Sequence, residues 1–338
     1  MIKKFSLILT SLLFSFLLIE ILLIFFFPQN LTGSFRTYGK NGLLLNAKNK
    51  KDVPIFHLGR EVANYNFGEF HNRKYDLKEV DNKILILGDS FTFGWLLEDK
   101  DNFVYKLDKE INDFSLINSA AGGWGTSDQL RYLMNFCRII NPKYTVLFMN
   151  TFDFDRSILS NLFFLEKNSI KEGNNKTSKL KIFLENSKIY NFSIENFHIV
   201  NLIKKNYLMN TSFNFNYNKQ IVVKDDKKIV VKDDKQSKFI KKLFLKFKDE
   251  AKSCNTKLII VNLGWYDYNV SSSDAPTFLK DNISFFNKNF NFIDLNYDMT
   301  EIHKNYKKFS ILNDQHPNQL GNDFIFNVIY GKLHPLIY

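Results

Sequence analysis

Four apolar residues followed at once by a glycine, an acid and a serine most constrain what this chain can fold into. The run Ile84–Leu87 is too short for a helix and ends at Gly88, which predicts a buried strand. Ser90 then lies where this strand gives way to a turn or a helix. Open α/β sheets bind their ligands at this carboxyl end of the strands. The segment therefore predicts either a catalytic serine or an ordinary turn with a serine cap.

Further strands and helices alternate along the chain. Apolar runs predict four more strands, at residues 114–118, 144–149, 258–263 and 290–295. Helical spacing of apolar residues predicts helices at residues 101–111, 127–140, 237–253, 276–287 and 319–330. Such alternation is typical of a parallel sheet covered on both faces. We therefore predict a three-layer α/β/α domain of flavodoxin-like type with a parallel five-stranded sheet, whose strand order the spacing does not give.

An apolar run at the N-terminus predicts one transmembrane helix. Phe5–Pro28 contains Glu20 as its single charged residue and is long enough to cross a bilayer core of about 30 Å. The run exceeds a signal-peptide core and no small-residue cleavage pattern follows it, so we expect a retained signal-anchor. Lys3 and Lys4 favour a cytoplasmic N-terminus, with the rest of the chain in the periplasm or outside the cell. Glu20 either contacts a partner helix or is tolerated through local water or protonation.

The chain divides into three parts on this interpretation. We expect residues 1–28 to form a cytoplasmic stub and the anchor, residues 29–80 an irregular lead-in segment, and residues 81–338 the α/β domain. The alternation breaks at about residues 157–235, which we interpret as an insertion in a loop at the functional edge of the sheet. The end of the insertion contains a charged repeat, Ile221–Lys228 and Ile229–Lys235, which fits a β-hairpin better than a solenoid.

Charge and cysteine content narrow the choice of partner and compartment. The 338-residue chain has a formal net charge of +11, but its lysines are scattered without a basic helix or an arginine cluster. We interpret them as a solvated surface and expect no nucleic-acid partner. Cys137 and Cys254 are not spaced as metal ligands, and each lies in or beside a predicted helix. We expect buried free thiols rather than a disulfide, which an oxidising compartment would nevertheless permit.

A second motif, near the C-terminus, contains the residue types that a serine nucleophile requires. The segment Asn313–Asn318 brings an aspartate and a histidine into one loop. A serine hydroxyl needs a general base, usually histidine, and a carboxylate that orients this base. His316 could instead be an ordinary loop histidine beside a helix start, because the proline that follows it suits a first helical turn.

The early Gly-Asp-Ser motif and the late Asp/His-Pro-Asn motif together resemble the SGNH, or GDSL-type, hydrolase family, over about residues 83–333 without the insertion. The resemblance implies that Ser90 is the nucleophile and His316 the general base. The family often has its acid three residues before the histidine, at the position of Asn313, whereas Asp314 is two before. We favour Asp314. The resemblance implies ester chemistry without a metal or an organic cofactor.

The resemblance also implies an oxyanion hole, the set of donors that stabilises the negatively charged oxygen of the reaction intermediate. The backbone amides of Ser90 and Gly123 match two of the family's donors, with Gly122 as an adjacent alternative. The third donor of the family is an asparagine side chain, but Phe152 occupies that position and cannot donate. Asn150 would share a face with this position if the strand continued. Either Asn150 replaces the donor or the donor is missing.

These observations lead to an expected function with two alternatives. We expect a membrane-anchored serine esterase that removes acetyl or other short acyl groups from an envelope glycan or another small ester. The first alternative is an O-acyltransferase that acts on cell-surface polysaccharide. The second is a non-catalytic protein of the same fold that binds or assembles envelope glycans, which the phenylalanine at the donor position favours.

Overall fold

The computed structural model describes residues 2–39, 42–77, 80–150, 152–173, 179–214, 234–265 and 277–338. The chain forms two compact units. The first unit consists of residues 1–34, 53–64 and 183–231, and the second of residues 35–52, 65–182 and 232–338. The charged repeat that we interpret as a hairpin lies outside the described residues, apart from its last two, which begin a helix.

The strands and helices are numbered here in chain order. The strands are β1 (Arg36–Tyr38), β2 (Leu44–Asn46), β3 (Val53–His57), β4 (Arg60–Tyr65), β5 (Lys83–Leu87), β6 (Ser115–Asn118), β7 (Tyr144–Met149), β8 (Phe163–Glu166), β9 (Ser169–Glu172), β10 (Lys257–Asn262) and β11 (Asn291–Asp294). The helices are α1 (Ile2–Phe26), α2 (Ser90–Phe93), α3 (Phe103–Glu110), α4 (Thr126–Ile140), α5 (Phe152–Ser160), α6 (Lys179–Asn186), α7 (Lys188–Asn196), α8 (His198–Asn214), α9 (Asp234–Ser253), α10 (Thr277–Asn289), α11 (Thr300–Lys304), α12 (Tyr306–Phe309) and α13 (Gln319–Ile337).

Five parallel strands form the central sheet of the second unit. They lie in the order β6-β5-β7-β10-β11. Numbered by occurrence along the chain, this is the flavodoxin-like order 2-1-3-4-5, in which ligands bind beyond the carboxyl ends of the strands where the order reverses. The predicted five-stranded α/β/α fold is therefore confirmed. The predicted helices and strands are also present, with α13 extending further than predicted, to Ile337.

Strand β5 lies inside the sheet with apolar residues on both faces. Ile84 and Ile86 belong to one buried cluster, together with residues of α3 and α13. Leu85 and Leu87 belong to the other cluster, together with residues of α4 and α9. Burying one side chain of this size contributes about 1.5–3 kcal/mol. The position of β5, and hence of the residues that follow it, is therefore fixed from both sides.

One buried arginine of the lead-in segment binds the backbone of the segment that follows Ser90. Arg73 is 1% exposed and pairs with Asp99, with 2.9 Å between Nε and the nearer carboxylate oxygen. Its guanidinium donates to three backbone carbonyl oxygens, those of Phe93 at 2.9 Å, Gly94 at 2.7 Å and Leu97 at 2.5 Å. Because buried carbonyl groups require partners, Arg73 fixes the segment that leaves α2.

The expectation of free thiols is wrong, because Cys137 and Cys254 form a disulfide bond. Their Cα atoms are 6.3 Å apart. Cys137 lies in the last turn of α4, and Cys254 directly follows α9. Both helices pack on the same face of the sheet, so their C-terminal ends meet. Helical spacing places each cysteine on its own helix, but it does not show that the two helices end side by side.

The predicted insertion contains regular elements in both units. Strands β8 and β9 form an antiparallel hairpin in the second unit. Helices α7 and α8 belong to the first unit, together with the N-terminal residues of the chain. The insertion and lead-in boundaries that we infer from the sequence stay predictions.

The first unit contains the apolar N-terminal run as α1. Its segment Lys3–Phe26 is long and apolar enough to cross a membrane. Glu20 is 8% exposed, and its carboxylate accepts hydrogen bonds from the backbone N–H groups of His198 at 2.5 Å and Ile199 at 3.0 Å. These residues begin α8, so of the two explanations offered for Glu20 the structure favours contact with another helix.

Candidate active site

Ser90 begins the one-turn helix α2 at the carboxyl end of β5 and is 7% exposed. The carboxylate of Asp89 caps this helix by accepting a hydrogen bond from the backbone N–H of Phe91 at 2.9 Å. A Cβ atom on Gly88 would lie 2.2 Å from Thr92 Oγ1, so this position needs a glycine. The strand therefore passes into α2 within a very tight turn, and this turn presents the Ser90 hydroxyl at the sheet edge.

His316 lies directly against Ser90, although 226 positions separate them in the chain. The distance between His316 Nε2 and Ser90 Oγ is 2.6 Å. The other ring nitrogen, Nδ1, forms a hydrogen bond with Asp314 Oδ1. The backbone N–H of His316 donates to the same oxygen at 2.8 Å. The structure thus brings together the three predicted residues in the geometry of a nucleophile, a base and an orienting acid.

The structure also distinguishes between the two candidates for the acid that orients His316. Asn313 is exposed and has a left-handed backbone conformation, with φ 59°. The next residue, Asp314, is the one whose side chain contacts the imidazole. The carboxylate, not the amide, is therefore placed to orient His316.

Aromatic residues hold the loop that carries His316. Trp265 is 1% exposed, and its Nε1 donates to the carbonyl oxygen of Gln315 at 3.2 Å. The Tyr306 hydroxyl donates to the same oxygen at 2.6 Å. The ring of Phe91 packs on the imidazole, with 4.7 Å between the ring centres. The sequence does not reveal these contacts, because the tryptophan and the tyrosine lie in separate segments, one after β10 and one at the start of α12.

Of the two predicted glycines of the oxyanion hole, Gly122 passes close to Ser90. A Cβ atom on Gly122 would lie 3.8 Å from Ser90 Cβ. Gly123 has φ 82°, a conformation that favours glycine, and a Cβ atom there would meet nothing within 4 Å. The backbone N–H of Ala121 donates to the carbonyl oxygen of Gly88 at 3.2 Å, which ties this segment to the end of β5. Both glycines stay candidates for the donor.

Asn150 is buried at the carboxyl end of β7, the strand beside β5. It is 1% exposed, and its backbone N–H donates to Asp153 Oδ2 at 3.1 Å. Strand β7 ends at Met149, and Phe152 begins α5 with 43% of its surface exposed. The strand does not continue, so the condition under which the two positions would share a face is not met. The role of Asn150 as third donor stays a prediction.

A charged cluster next to the Ser90 turn was not found from the sequence. Arg156 Nη1 lies 2.9 Å from Asp89 Oδ2 and 3.6 Å from Asp153 Oδ1, and both acids are almost fully buried. Burial, and secondly the negative charge of Asp89, raise the pKa of Asp153 well above its usual range, while Arg156 opposes this rise. Arg156 thus keeps the cap of α2 paired with a cation. Asp153 and Arg156 are three residues apart at the start of α5, and this spacing is the sequence signal that could have revealed the charged cluster.

Arg36 of β1 was also missed. A Cβ atom on Gly122 would lie 3.0 Å from Arg36 Nη2 as well as 3.8 Å from Ser90 Cβ. The guanidinium therefore lies beside the glycine segment, near the Ser90 side chain. A cation in this place can attract a negatively charged group of a substrate. Arg36 occurs in an irregular part of the sequence, where no motif marks it.

A serine, a histidine and an aspartate at the carboxyl edge of a flavodoxin-like sheet form the kind of arrangement that serine hydrolases use. No protein-family model matches this chain, and no curated protein matches it. Among solved structures, the chain is similar to a lipolytic protein of the G-D-S-L family from Veillonella parvula, with 12% identity over 74% of this chain and 96% of that chain and a TM-score of 0.42.

Two further solved structures show a similar extent of likeness. One is the psychrotrophic esterase EstA from Pseudoalteromonas sp., with 16% identity over 76% of this chain and 98% of that chain and a TM-score of 0.38. The other is a family 3 carbohydrate esterase from Clostridium thermocellum, with 12% identity over 74% of this chain and 94% of that chain and a TM-score of 0.36. At these values the similarity does not identify a substrate, so the function has to be inferred from the site.

Proposed function

We propose that this chain is a serine esterase of SGNH/GDSL type that hydrolyses acetyl or other short acyl esters on an envelope glycan. The observation that carries the proposal is the distance of 2.6 Å between Ser90 Oγ and His316 Nε2, with Asp314 on the other ring nitrogen. A hydroxyl paired with an oriented imidazole is activated as a nucleophile.

The first half of the proposed reaction transfers the acyl group to the enzyme. Ser90 Oγ attacks the acyl carbonyl while His316 Nε2 takes its proton, and Asp314 stabilises the imidazolium that forms. The backbone amides of Ser90 and Gly123, with the Asn150 side chain, hold the negatively charged oxygen. The bond between the carbonyl carbon and the sugar oxygen then breaks, and His316 gives its proton to that oxygen, so that the sugar leaves with a free hydroxyl. The acyl group remains on Ser90 as an ester.

The second half returns the enzyme to its starting state. A water molecule attacks the acyl ester on Ser90 while His316 takes one proton from it. The bond between the carbonyl carbon and Oγ then breaks, and His316 returns the proton to Ser90. Acetic acid or another short acid leaves. In an acyltransferase a sugar hydroxyl would take the place of this water.

The proposed location is outside the cytoplasm, with α1 as a retained anchor and Lys3 and Lys4 on the cytoplasmic side. The disulfide between Cys137 and Cys254 supports this location. Disulfides persist in oxidising compartments and are rare in the cytosol. A glycan ester is the substrate class that such a location favours.

Labelling with a fluorescent fluorophosphonate tests whether Ser90 is activated. The full chain in detergent should become labelled, and Ser90→Ala should abolish the label. Ser169→Ala is the matched control, because this serine is exposed on β9 and its hydroxyl contacts only a backbone carbonyl among the described hydrogen bonds. Absence of label on the folded wild-type chain would contradict the proposal and favour the non-catalytic glycan-binding alternative.

A further inference from the structure

One face of α1 is covered by protein in the first unit, although the helix is otherwise apolar and exposed. Glu20 and Leu23 are both 8% exposed, and Phe16 is partly buried. These positions follow one another at helical spacing, so they form a single stripe. The ring of Phe16 contacts the ring of Phe197, with 5.5 Å between their centres. Phe197 joins α7 to α8, so the corner between these helices packs on the C-terminal half of α1.

At this contact the Glu20 carboxylate accepts hydrogen bonds from backbone N–H groups at the beginning of α8. The first N–H groups of a helix have no partners within the helix. Two of them, at His198 and Ile199, donate to the Glu20 carboxylate at 2.5 Å and 3.0 Å. A carboxylate at this end of a helix is also favoured by the helix dipole. The carboxylate and these two N–H groups therefore pair with each other without water, as a membrane requires of buried polar groups.

The other faces of α1 at the same level are bare and apolar. Ile21 is 51% exposed, and Phe25 and Phe26 are 75% and 68% exposed. Phe16 precedes Phe26 by a rise of about 15 Å, which is half of a hydrocarbon core of about 30 Å. If α1 crosses a bilayer with Phe26 at the outer boundary, Phe197 therefore packs near the midplane. Glu20, about 9 Å from Phe26 along the helix, then lies within the outer leaflet.

The helices of this corner expose large apolar side chains among charged and polar ones, such as Lys188 and Lys205. Four large apolar side chains are exposed there, namely Phe183 at 69%, Ile189 at 80%, Phe192 at 58% and Ile203 at 63%. Exposed apolar groups of this number mark a surface that another apolar phase covers. They lie on α6, α7 and α8, in the same unit as α1.

We propose that α7 and α8 are inserted in the outer leaflet beside α1, with Glu20 as the internal cap of α8. The protein would then hold the bilayer by a spanning helix and by a helical corner. The partner of this surface is the lipid hydrocarbon. The proposal requires that α1 be retained as an anchor, but it does not depend on the chemistry of Ser90.

Spin labels on the full chain in phosphatidylcholine vesicles test the insertion. Both native cysteines form the disulfide, so single labels can be introduced by Phe192→Cys and Ile203→Cys. Phe25→Cys on α1 is the lipid reference, and Tyr297→Cys, at a side chain 89% exposed in the second unit, is the water reference. We expect both labels on the corner to collide more often with oxygen than with a water-soluble nickel chelate, as at Phe25→Cys. If the labels at both corner positions collide with oxygen and the nickel chelate as the label at Tyr297→Cys does, the proposal is overturned. An intact mass that shows that α1 has been removed would also overturn it.

Two substitutions of Glu20 test its part in the insertion. Glu20→Leu removes the acceptor of two N–H groups, so the label at Ile203→Cys should become accessible to the nickel chelate. Glu20→Gln retains an acceptor oxygen without charge, and the label should stay in lipid. If the label at Ile203→Cys stays in lipid in Glu20→Leu, then α8 does not need Glu20 as its cap. The labels in the otherwise native chain keep the insertion testable if Glu20→Leu does not fold.

Discussion

At the scale of single residues, Asp314 and Asn313 are neighbours with different expected roles. Asp314→Asn should lower kcat by roughly 10⁴-fold, because an amide neither stabilises the imidazolium nor fixes the correct ring tautomer. Asn313 contributes a left-handed turn, which glycine adopts freely. Asn313→Gly is therefore the matched control and should retain activity.

Hydrolysis of a small acetyl ester, measured per folded molecule, distinguishes these two residues. The assignment of Asp314 would be wrong if Asn313→Gly were the damaging change.

The third oxyanion donor gives a second prediction at this scale. If Asn150 donates to the oxyanion, Asn150→Ala should cost about 2.7–4 kcal/mol of transition-state stabilisation. KM should change little, since the interaction strengthens mainly in the transition state. Phe152→Asn would introduce the side-chain donor that the proposed mechanism lacks at this position, and its stability cost should be small because the Phe152 side chain is 43% exposed.

Steady-state kinetics with thermal melts test this pair of variants. If the protein hydrolyses esters and neither Asn150→Ala nor Phe152→Asn changes the rate appreciably, the third donor lies elsewhere.

The sequence predicts site residues where the chemistry lies in the side-chain type and its spacing. Ser90, Asp314 and His316 belong to short motifs of this kind. Arg73 and Arg36 do not, because the groups beside them, chiefly backbone carbonyls for Arg73 and Gly122 for Arg36, lie in segments that are distant in the sequence. A motif search compares side chains, so it passes over residues whose partners are carbonyl groups or glycines.

At the scale of elements, Arg73 connects the lead-in segment to the segment that leaves α2. Arg73→Met should destabilise the fold by about 3 kcal/mol or more, because three buried carbonyl groups each lose a hydrogen bond and the partly buried Asp99 loses the cation that pairs with it. Arg73→Lys should recover part of this loss, since an ammonium group keeps the charge but cannot reach all these acceptors.

Urea unfolding of the three proteins tests this prediction. Equal stability of Arg73→Met and the wild type would show that the segment is held by other contacts.

The first turn of α4 gives a pH prediction. Asp128 Oδ2 accepts a hydrogen bond from the backbone N–H of Gly125 at 3.0 Å, and burial raises the pKa of Asp128 to about 6. The folded chain therefore holds this proton more tightly than the unfolded chain does. The stability that this group contributes is present at low pH and is lost as pH rises through about 6.

Asp128→Asn cannot ionise, so its Tm relative to the wild type should increase from about pH 4.5 to about pH 7.5. Thermal melts at the two pH values test this. A difference in Tm that is constant, or that falls over this interval, would contradict the assignment.

Element positions in the α/β part follow from apolar periodicity, because each strand and helix has a face that must be buried. The one-turn helix α2 has no such period, and capping by Asp89 and the glycines around it set its position. The helices of the insertion were missed for another reason. Helices α7 and α8 expose several of their apolar residues, so their pattern does not indicate a soluble core.

At the scale of the whole molecule, the order of the strands decides where the site lies. The order 2-1-3-4-5 puts β5 beside β7, so Ser90 and Asn150 follow adjacent strands. Sequence spacing shows that strands alternate with helices but contains no information on which strands pair. The class of fold was therefore predictable, whereas the neighbourhood of the site required the structure.

The orientation of the chain in the membrane gives the prediction at this scale. The lysines before α1 favour a cytoplasmic N-terminus, so residues 29–338 should lie outside the cytoplasm. Alkaline phosphatase fused at the C-terminus should be active, because it folds only after export. An inactive phosphatase together with an active cytoplasmic reporter at the same site would reverse the orientation.

The disulfide between Cys137 and Cys254 also has a consequence for protease resistance. It spans 117 positions of sequence and encloses β7, the insertion and α9. A protease that cuts once anywhere inside this interval leaves two pieces that remain covalently joined. A chain nicked in the insertion should therefore run as one species on a non-reducing gel and as two on a reducing gel. A protein built in this way can lose the continuity of its backbone in an exposed segment without losing half of its sheet.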